Sequence, residues 1–129
     1  MEYLTVEEIL AIHIEVIREF GGTPEVLSLE RLRSSAESPH QTMFGDELYP
    51  DLVSKAAILF FALIKNHPFL DGNKRTALLS LLEFVKRNGH AIEAKHDELY
   101  QFTLDVATSV LDKDAIGAWI RAHLKESAK

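Results

Sequence analysis

The sequence predicts an all-α fold, a compact bundle of about six helices with a short β-hairpin or loop flap before its two central helices. Three observations lead there. Apolar residues recur at spacings of three and four through most of the chain, the period of a helix with one buried face. Turn signals such as Gly21-Gly22, Asn88-Gly89 and four prolines cut that pattern into pieces of helical length. Two of those pieces are more apolar than the rest and only a few residues apart, which predicts an antiparallel pair at the centre of the domain.

The elements follow in order. Thr5-Val6-Glu7-Glu8 has the spacing of a capping box, in which a hydroxyl and a carboxylate satisfy the free amides of a helix start. The helix it opens runs to about Phe20, with Val6, Ile9, Leu10, Ile17 and Phe20 on one stripe, and Gly21-Gly22 stops it with Pro24 just beyond. A second helix begins at Ser28 and fades near Ser38-Pro39. The segment PHQTMFGDELYP, from Pro39 to Pro50, shows short alternation around Gly45-Asp46 with a proline at each end, and reads as a loop or a small β-hairpin. Asp51 then caps a long helix that carries AAILFFALI and ends near Asn66.

The fourth helix starts at an Asn73 N-cap and runs to about Asn88. Its stripe is Leu78, Leu81, Leu82 and Val85, widened by Leu79 and Phe84. Two outer helices remain. One runs from about His96 to Val110 with Leu99, Phe102, Val106 and Val110 on a face, the other from Asp112 or Lys113 to Leu124 with Ile116, Trp119 and Ile120. The AIEA segment before His96 has strand character, but a lone strand has no evident partner in this sequence.

Composition narrows the function classes. The 129 residues fit a single domain, 1–129, with no internal repeat or Pro/Gly/Ser-rich linker. The absence of cysteine excludes a disulfide framework, a thiol nucleophile and a thiolate zinc site, and suits a reducing, cytoplasmic interior. The acidic opening MEYLTVEE lacks the basic and apolar regions of a secretion signal, and AAILFFALI falls well short of the roughly 20 residues that span a bilayer, so no membrane association is expected. With 20 acidic residues against 14 Lys plus Arg, the net charge of −6 argues against direct nucleic-acid binding, including the helix-turn-helix mode that many short helices would otherwise suggest.

The chemistry is concentrated in NHPFLDGNKRTA, Asn66 to Ala77, between the two central helices. Gly72 tolerates a positive φ and a close approach to the backbone, and a helix starting at Asn73 presents free amide N–H groups and the positive end of its dipole. Such a terminus binds anions, and phosphate is the natural one. Lys74 and Arg75 lie in the first turn, where cations oppose the dipole unless an anion offsets them. Asp71, at the mouth, is placed to hold Mg²⁺, which takes one or two protein carboxylates and completes its shell with phosphate and water. His67 is suited to act as general base toward a hydroxyl, a role worth about 10²–10⁴ in rate. Phe69 is expected to point into the core and fix the loop. The plain alternative is a helix end followed by an ordinary turn and cap, against which stands the density of reactive groups.

HPFLDGNKR resembles the signature of the Fic/Doc superfamily, H-x-F-x-(D/E)-G-N-(G/K)-R, and Lys74 with Thr76-Ala77 resembles its Doc (death-on-curing) toxin branch. LTVEEILAIH with its following Gly-Gly, the Pro-and-Tyr segment before the long apolar helix and the small all-α size extend the likeness over nearly the whole chain. The resemblance implies a toxin of a bacterial toxin–antitoxin module that uses ATP and Mg²⁺ to phosphorylate a protein hydroxyl, in the Doc branch a threonine of translation elongation factor Tu. It implies His67 as base, Asp71 as Mg²⁺ ligand, Gly72, Asn73, Lys74 and Arg75 as the phosphate cradle, and Lys74 and Arg75 as catalytic cations. Lys74 stands where Fic enzymes that transfer AMP carry a second glycine. Gly72 keeps the Fic-type glycine where the best-known member of the Doc branch has alanine, a roomier anion hole that leaves AMP transfer as the alternative.

The resemblance also makes PHQTMFGDELYP a flap that docks the target by main-chain pairing. No inhibitory (S/T)-x-x-x-E-(G/N) string occurs, so restraint would come in trans from a cognate antitoxin whose disordered segment folds on an apolar groove. His13 reads as a hydrogen-bonded core histidine without a role, His40 as a weaker site candidate in the flap, and His90, His96 and His123 as unrelated to any metal cluster. Trp119 is expected to pack the last helix. A non-catalytic helical interaction module is the remaining alternative, against which stands the full set of motif residues.

Overall fold

The computed structural model describes residues 1–127. Helix α1 (Val6–Phe20) opens with the capping box: Glu8 N–H donates to Thr5 Oγ1 at 3.1 Å and Thr5 N–H to Glu8 Oε1 at 2.9 Å. Helix α2 (Leu29–Glu37), capped by Ser28, passes into a 3₁₀ turn over Ser38–His40. The segment that reads as loop or hairpin is a hairpin. Strands β1 (Thr42–Met43) and β2 (Asp46–Glu47) pair antiparallel, Thr42 opposite Glu47, around a turn in which Phe44 and Gly45 have φ of 52° and 85°. Helix α3 (Leu52–Asn66) begins with a second capping box, Asp51 with Ser54, and α4 (Asn73–Arg87) follows after the motif turn. Strand β3 (His90–Ile92), α5 (His96–Ala107), α6 (Lys113–His123) and β4 (Leu124–Glu126) complete the described chain.

Helix α3 is the axis, packed by α2, α4, α5 and α6, while α1 covers the other side of α4. Its residues Ala56, Leu59, Phe60 and Leu63 meet Ile9, Leu32, Leu81, Phe84, Phe102, Ile116 and Ile120 in one core. Each fully buried large side chain contributes about 1.5–3 kcal/mol. On the α5–α6 side an aromatic ladder runs from Phe60 to Phe102 (5.0 Å between ring centroids), Trp119 (3.8 Å) and His123 (3.9 Å), so Trp119 packs its helix as expected. Helix α1 lies antiparallel to α4, clamped where Asn88 bonds both backbone groups of Glu2, at 2.8 and 2.9 Å.

Several expectations are corrected. The strand-like segment has a partner: β3 pairs antiparallel with β4, Ile92 opposite Leu124, because the chain leaves the helical path at His123 and returns beside it. Leu124 thus belongs to a strand. Helix α5 ends at Ala107, since Ser109 takes φ 63° and the amides of Val110 and Leu111 fold back onto Asp105 O at 2.8 and 3.2 Å; Val110 is left exposed. The buried face of α4 includes Thr76, Ala77 and Ser80 with Leu81, Phe84 and Val85, whereas Leu79 turns outward. Asn73 is not the N-cap. Gly72 holds the cap position and Asn73 is the first helical residue, its side chain directed to other work.

Lys55 reads in sequence as a polar flank of the apolar run, yet it is 2% exposed. Its ammonium donates to Pro39 O (3.2 Å), Tyr49 O (2.5 Å) and Glu47 Oε1 (3.0 Å), so one cation joins the chain before, within and after the hairpin. The hairpin hangs on this tether with every residue exposed, Phe44 at 99%. His40 lies in the 3₁₀ turn ahead of the hairpin, its ring tilted 39° against that of Tyr3 with centroids 3.9 Å apart.

Candidate active site

The motif turn is built against the linker between α1 and α2. His67 closes α3 in a left-handed conformation (φ 49°, ψ 60°), which turns the chain sharply while leaving the imidazole exposed. Beyond it, Pro68 O accepts Leu27 N–H (2.8 Å) and Ser28 N–H (3.2 Å), Leu70 N–H donates to Glu25 O (3.1 Å), and Phe69 pairs with Val26 in an isolated antiparallel bridge. Phe69 is 1% exposed and points into the core as expected.

Asn73, 7% exposed, is the hub of the turn. Its Oδ1 accepts Phe69 N–H at 3.0 Å and its Nδ2 donates to Phe69 O at 2.8 Å, which fixes the orientation of the amide. The second Nδ2 hydrogen faces His67 Nε2 at 3.2 Å. A nitrogen opposite a donor is an acceptor, so the neutral His67 ring carries its proton on Nδ1 and keeps the Nε2 lone pair. The contact is longer than the usual 2.9–3.0 Å of an N–H hydrogen bond, so a hydroxyl brought to Nε2 displaces a weak partner.

Asp71 is held from two directions, by residues the sequence reading did not attach to it. Its Oδ2 accepts Thr23 N–H at 2.9 Å, and its backbone O lies 2.8 Å from His13 Nε2. A Cβ on Gly22 would stand 2.9 Å from the Asp71 Cβ, so the second glycine of Gly21-Gly22 leaves room for this side chain as well as ending a helix. The Asp71 Oδ1 has no protein partner among the described residues, which also contain no group of three or more His, Cys, Asp or Glu able to enclose a metal. One uncommitted carboxylate oxygen beside a phosphate-type site fits Mg²⁺, which relies on few protein ligands, better than ions that need a full protein cage.

Gly72 has φ 80°, and a Cβ there would lie 3.2 Å from Val16 Cγ1 and 3.3 Å from Ile17 Cδ1. The glycine therefore faces α1. It opens no space on the anion side, which removes the sequence-based ground for a roomier anion hole. No side chain caps α4, and its first backbone bond is Thr76 N–H to Gly72 O at 2.9 Å, so the amides of Asn73, Lys74 and Arg75 precede the helical ladder. Lys74 and Arg75 are exposed, and the Arg75 guanidinium rests 4.1 Å from the Phe20 ring centroid. His67, Asp71, Gly72, Asn73, Lys74 and Arg75 thus share one turn and the helix start behind it. His40, His90, His96 and His123 lie on other elements.

The model of the Fic/DOC family matches residues 3–85, from the segment before α1 through the motif to the end of α4. The chain belongs to the Fic/DOC family. Two relatives of this Fic/DOC chain span nearly its full length. "Toxin Doc" of Mycolicibacterium smegmatis (strain ATCC 700084 / mc(2)155) is 35% identical over 119 residues, covering 91% of this chain and 89% of its own. "Protein kinase doc" of Escherichia phage P1 is 30% identical over 121 residues, 94% of each. Within the Fic/DOC match lie α1, the linker and the motif turn, the three parts that build the site.

Proposed function

We propose that this protein is the toxin of a bacterial toxin–antitoxin pair, a cytoplasmic enzyme that transfers the γ-phosphoryl group of ATP to a protein hydroxyl, with a threonine of a translation factor such as elongation factor Tu as the target. The observation that carries it is the His67–Asn73–Asp71 turn set against the uncapped start of α4 with two exposed cations. The names of the two relatives, a toxin and a protein kinase, support the same reading.

The free amides of α4 and the side chains of Lys74 and Arg75 bind and orient the triphosphate. Asp71 Oδ1 would hold magnesium, which neutralises phosphate charge when bound with the nucleotide. The acceptor hydroxyl replaces Asn73 at His67 Nε2. Its oxygen forms a bond to the γ-phosphorus as the bridging bond to the β-phosphate breaks, ADP leaves, and the hydroxyl proton passes to Nε2. The exposed hairpin edge suits main-chain pairing with the target segment. No helix among the described residues is long and apolar enough to cross a membrane. A cognate antitoxin would restrain the enzyme in trans.

Incubation of the protein with elongation factor Tu, magnesium and ATP labelled at either the α or the γ position tests the reading. Label from the γ position is expected in the acceptor, and its loss in His67→Ala with unchanged melting is expected too. Transfer of α label would establish AMP transfer instead, and absence of both labels with every bacterial lysate protein offered would reject the enzyme.

A further inference from the structure

His13 is wholly buried on the inner face of α1, and both of its contacts land on the motif turn. Its ring stacks on Phe69 with centroids 3.7 Å apart and planes 7° from parallel. Because a carbonyl only accepts, the nitrogen 2.8 Å from Asp71 O carries the proton, and Nδ1 is then a lone pair with no partner in the interior. A histidine kept for packing alone would be replaced without loss by an apolar ring that leaves no buried acceptor unmatched. What the imidazole adds is the N–H aimed at Asp71.

That carbonyl belongs to the peptide joining Asp71 to Gly72. Glycine makes rotation of this peptide plane cheap, since both signs of φ are open to it. In a trans peptide the C=O and the following N–H point opposite ways. With the carbonyl drawn toward α1, the Gly72 N–H faces away from α1; a rotated peptide would put a carbonyl oxygen there, the wrong polarity for a phosphate. The same rotation would disturb the Asp71 side chain, which Thr23 N–H holds by one oxygen.

We infer that His13 is a positioning residue that locks the Asp71–Gly72 peptide, so that the Gly72 amide joins the phosphate-binding donors and the Asp71 carboxylate stays at the mouth of the site. The inference rests on the nucleotide-binding reading given above, but its effect on the peptide is measurable without any nucleotide. His13→Phe keeps the stack and removes the N–H; His13→Gln returns an N–H at about the same reach.

Amide hydrogen exchange of Thr23, whose N–H is bonded to the Asp71 carboxylate, melting temperature and calorimetric titration with ATP, with magnesium and with EDTA, are to be compared in the three proteins. His13→Phe is expected to melt within a few degrees of wild type, to speed exchange of the Thr23 amide that Asp71 Oδ2 holds at 2.9 Å severalfold, and to weaken magnesium-dependent ATP binding roughly three- to tenfold, the worth of one hydrogen bond. His13→Gln is expected to restore both. Wild-type exchange and affinity in His13→Phe would overturn the inference, as would a folded His13→Gln as impaired as the phenylalanine variant. Should His13→Phe fail to fold, His13→Asn, whose shorter amide withdraws the donor from Asp71, stands in for it under the same criteria. If wild type binds no nucleotide, the proposed function fails, and the exchange comparison alone still decides the role of His13.

Discussion

Replacing Asn73 with alanine tests the centre of the site. The substitution removes three hydrogen bonds: two to the backbone of Phe69, at 3.0 and 2.8 Å, and one to His67 at 3.2 Å. Phe69 is 1% exposed, so its freed N–H and C=O have no water to turn to, and each buried unsatisfied group costs about 1–3 kcal/mol. The His67 ring is exposed and loses little. Alanine returns up to about 0.7 kcal/mol of helix propensity. The net loss is about 1–5 kcal/mol, readable as a lowered urea midpoint at constant slope. The variant also frees the imidazole, so ¹⁵N NMR of His67 is expected to move from a ring protonated on Nδ1 toward a mixture of tautomers. Asn73→Asp keeps the acceptor for Phe69 N–H but sets a carboxylate oxygen against His67 Nε2, which is expected to draw the proton onto that nitrogen and remove its lone pair. An Asn73→Ala protein within about 0.5 kcal/mol of wild type, the usual error of such comparisons, or an unchanged His67 tautomer, would refute the assignment of Asn73 as the hub.

Gly72→Ala is expected to lose about 2–4 kcal/mol, from a left-handed conformation that costs about 1–2 kcal/mol and from overlap with Val16 and Ile17. Val16→Ala in the same chain should recover part of it; strictly additive losses in a double-mutant cycle would contradict a glycine that faces α1. Ser54 N–H, 2.7 Å from Asp51, holds that carboxyl below its ordinary value of 3.8, so its contribution is full above that value and fades as pH falls through the folded one. Asp51→Ala should therefore cost about 1 kcal/mol at neutral pH and converge with wild type in acid, and a constant gap down the acid limb of the stability profile would count against the capping role. Lys55→Met should leave the helices folded, cost about 1–3 kcal/mol and speed amide exchange of Leu48, whose N–H bonds Gln41 O across the hairpin at 2.9 Å; a protected Leu48 would show that the hairpin stands without its tether. Lys74→Ala should weaken ATP binding yet raise the melting temperature of the free protein, since its charge opposes the dipole of α4 by about 0.3–1 kcal/mol.

What the sequence made legible was local. The starts of α1, α2, α3 and α6 are written in Thr5, Ser28, Asp51 and Asp112, each of which accepts the amide three residues on. The grouping of the candidate site residues from His67 to Arg75 in one turn and helix start was legible for the same reason, since they are contiguous. The pairing of β3 with β4 was not, because nothing in AIEA or in Leu124–Glu126 specifies a partner so distant in sequence. Asn73 misled because asparagine at a helix start reads as a cap; a glycine at positive φ before it took that position and released the side chain. Lys55 misled because a lysine beside an apolar run is normally a solvated flank, and only the folded carbonyls of Pro39 and Tyr49 together with the Glu47 carboxylate make its burial tolerable.

The motif is not a self-contained device, and its electrostatics show why. Two cations in the first turn of α4 are unfavourable by about 0.3–1 kcal/mol each in the absence of an anion. Arg75 offsets its share against the Phe20 ring, worth about 0.5–1 kcal/mol at an exposed site, whereas Lys74 has no ion pair among the described residues. The compensating ring comes from the last residue of α1. So do the other supports: Val16 and Ile17 shape the Gly72 backbone, His13 takes the Asp71 carbonyl, and the linker beyond Gly22 supplies the amide that holds one Asp71 oxygen. Helix α1 and the linker after it together therefore set the direction of the groups around Asp71 and Gly72. A shift of α1 along α4 by part of a turn would withdraw these supports from Asp71 and Gly72, and with them the proposed phosphate site, without touching His67.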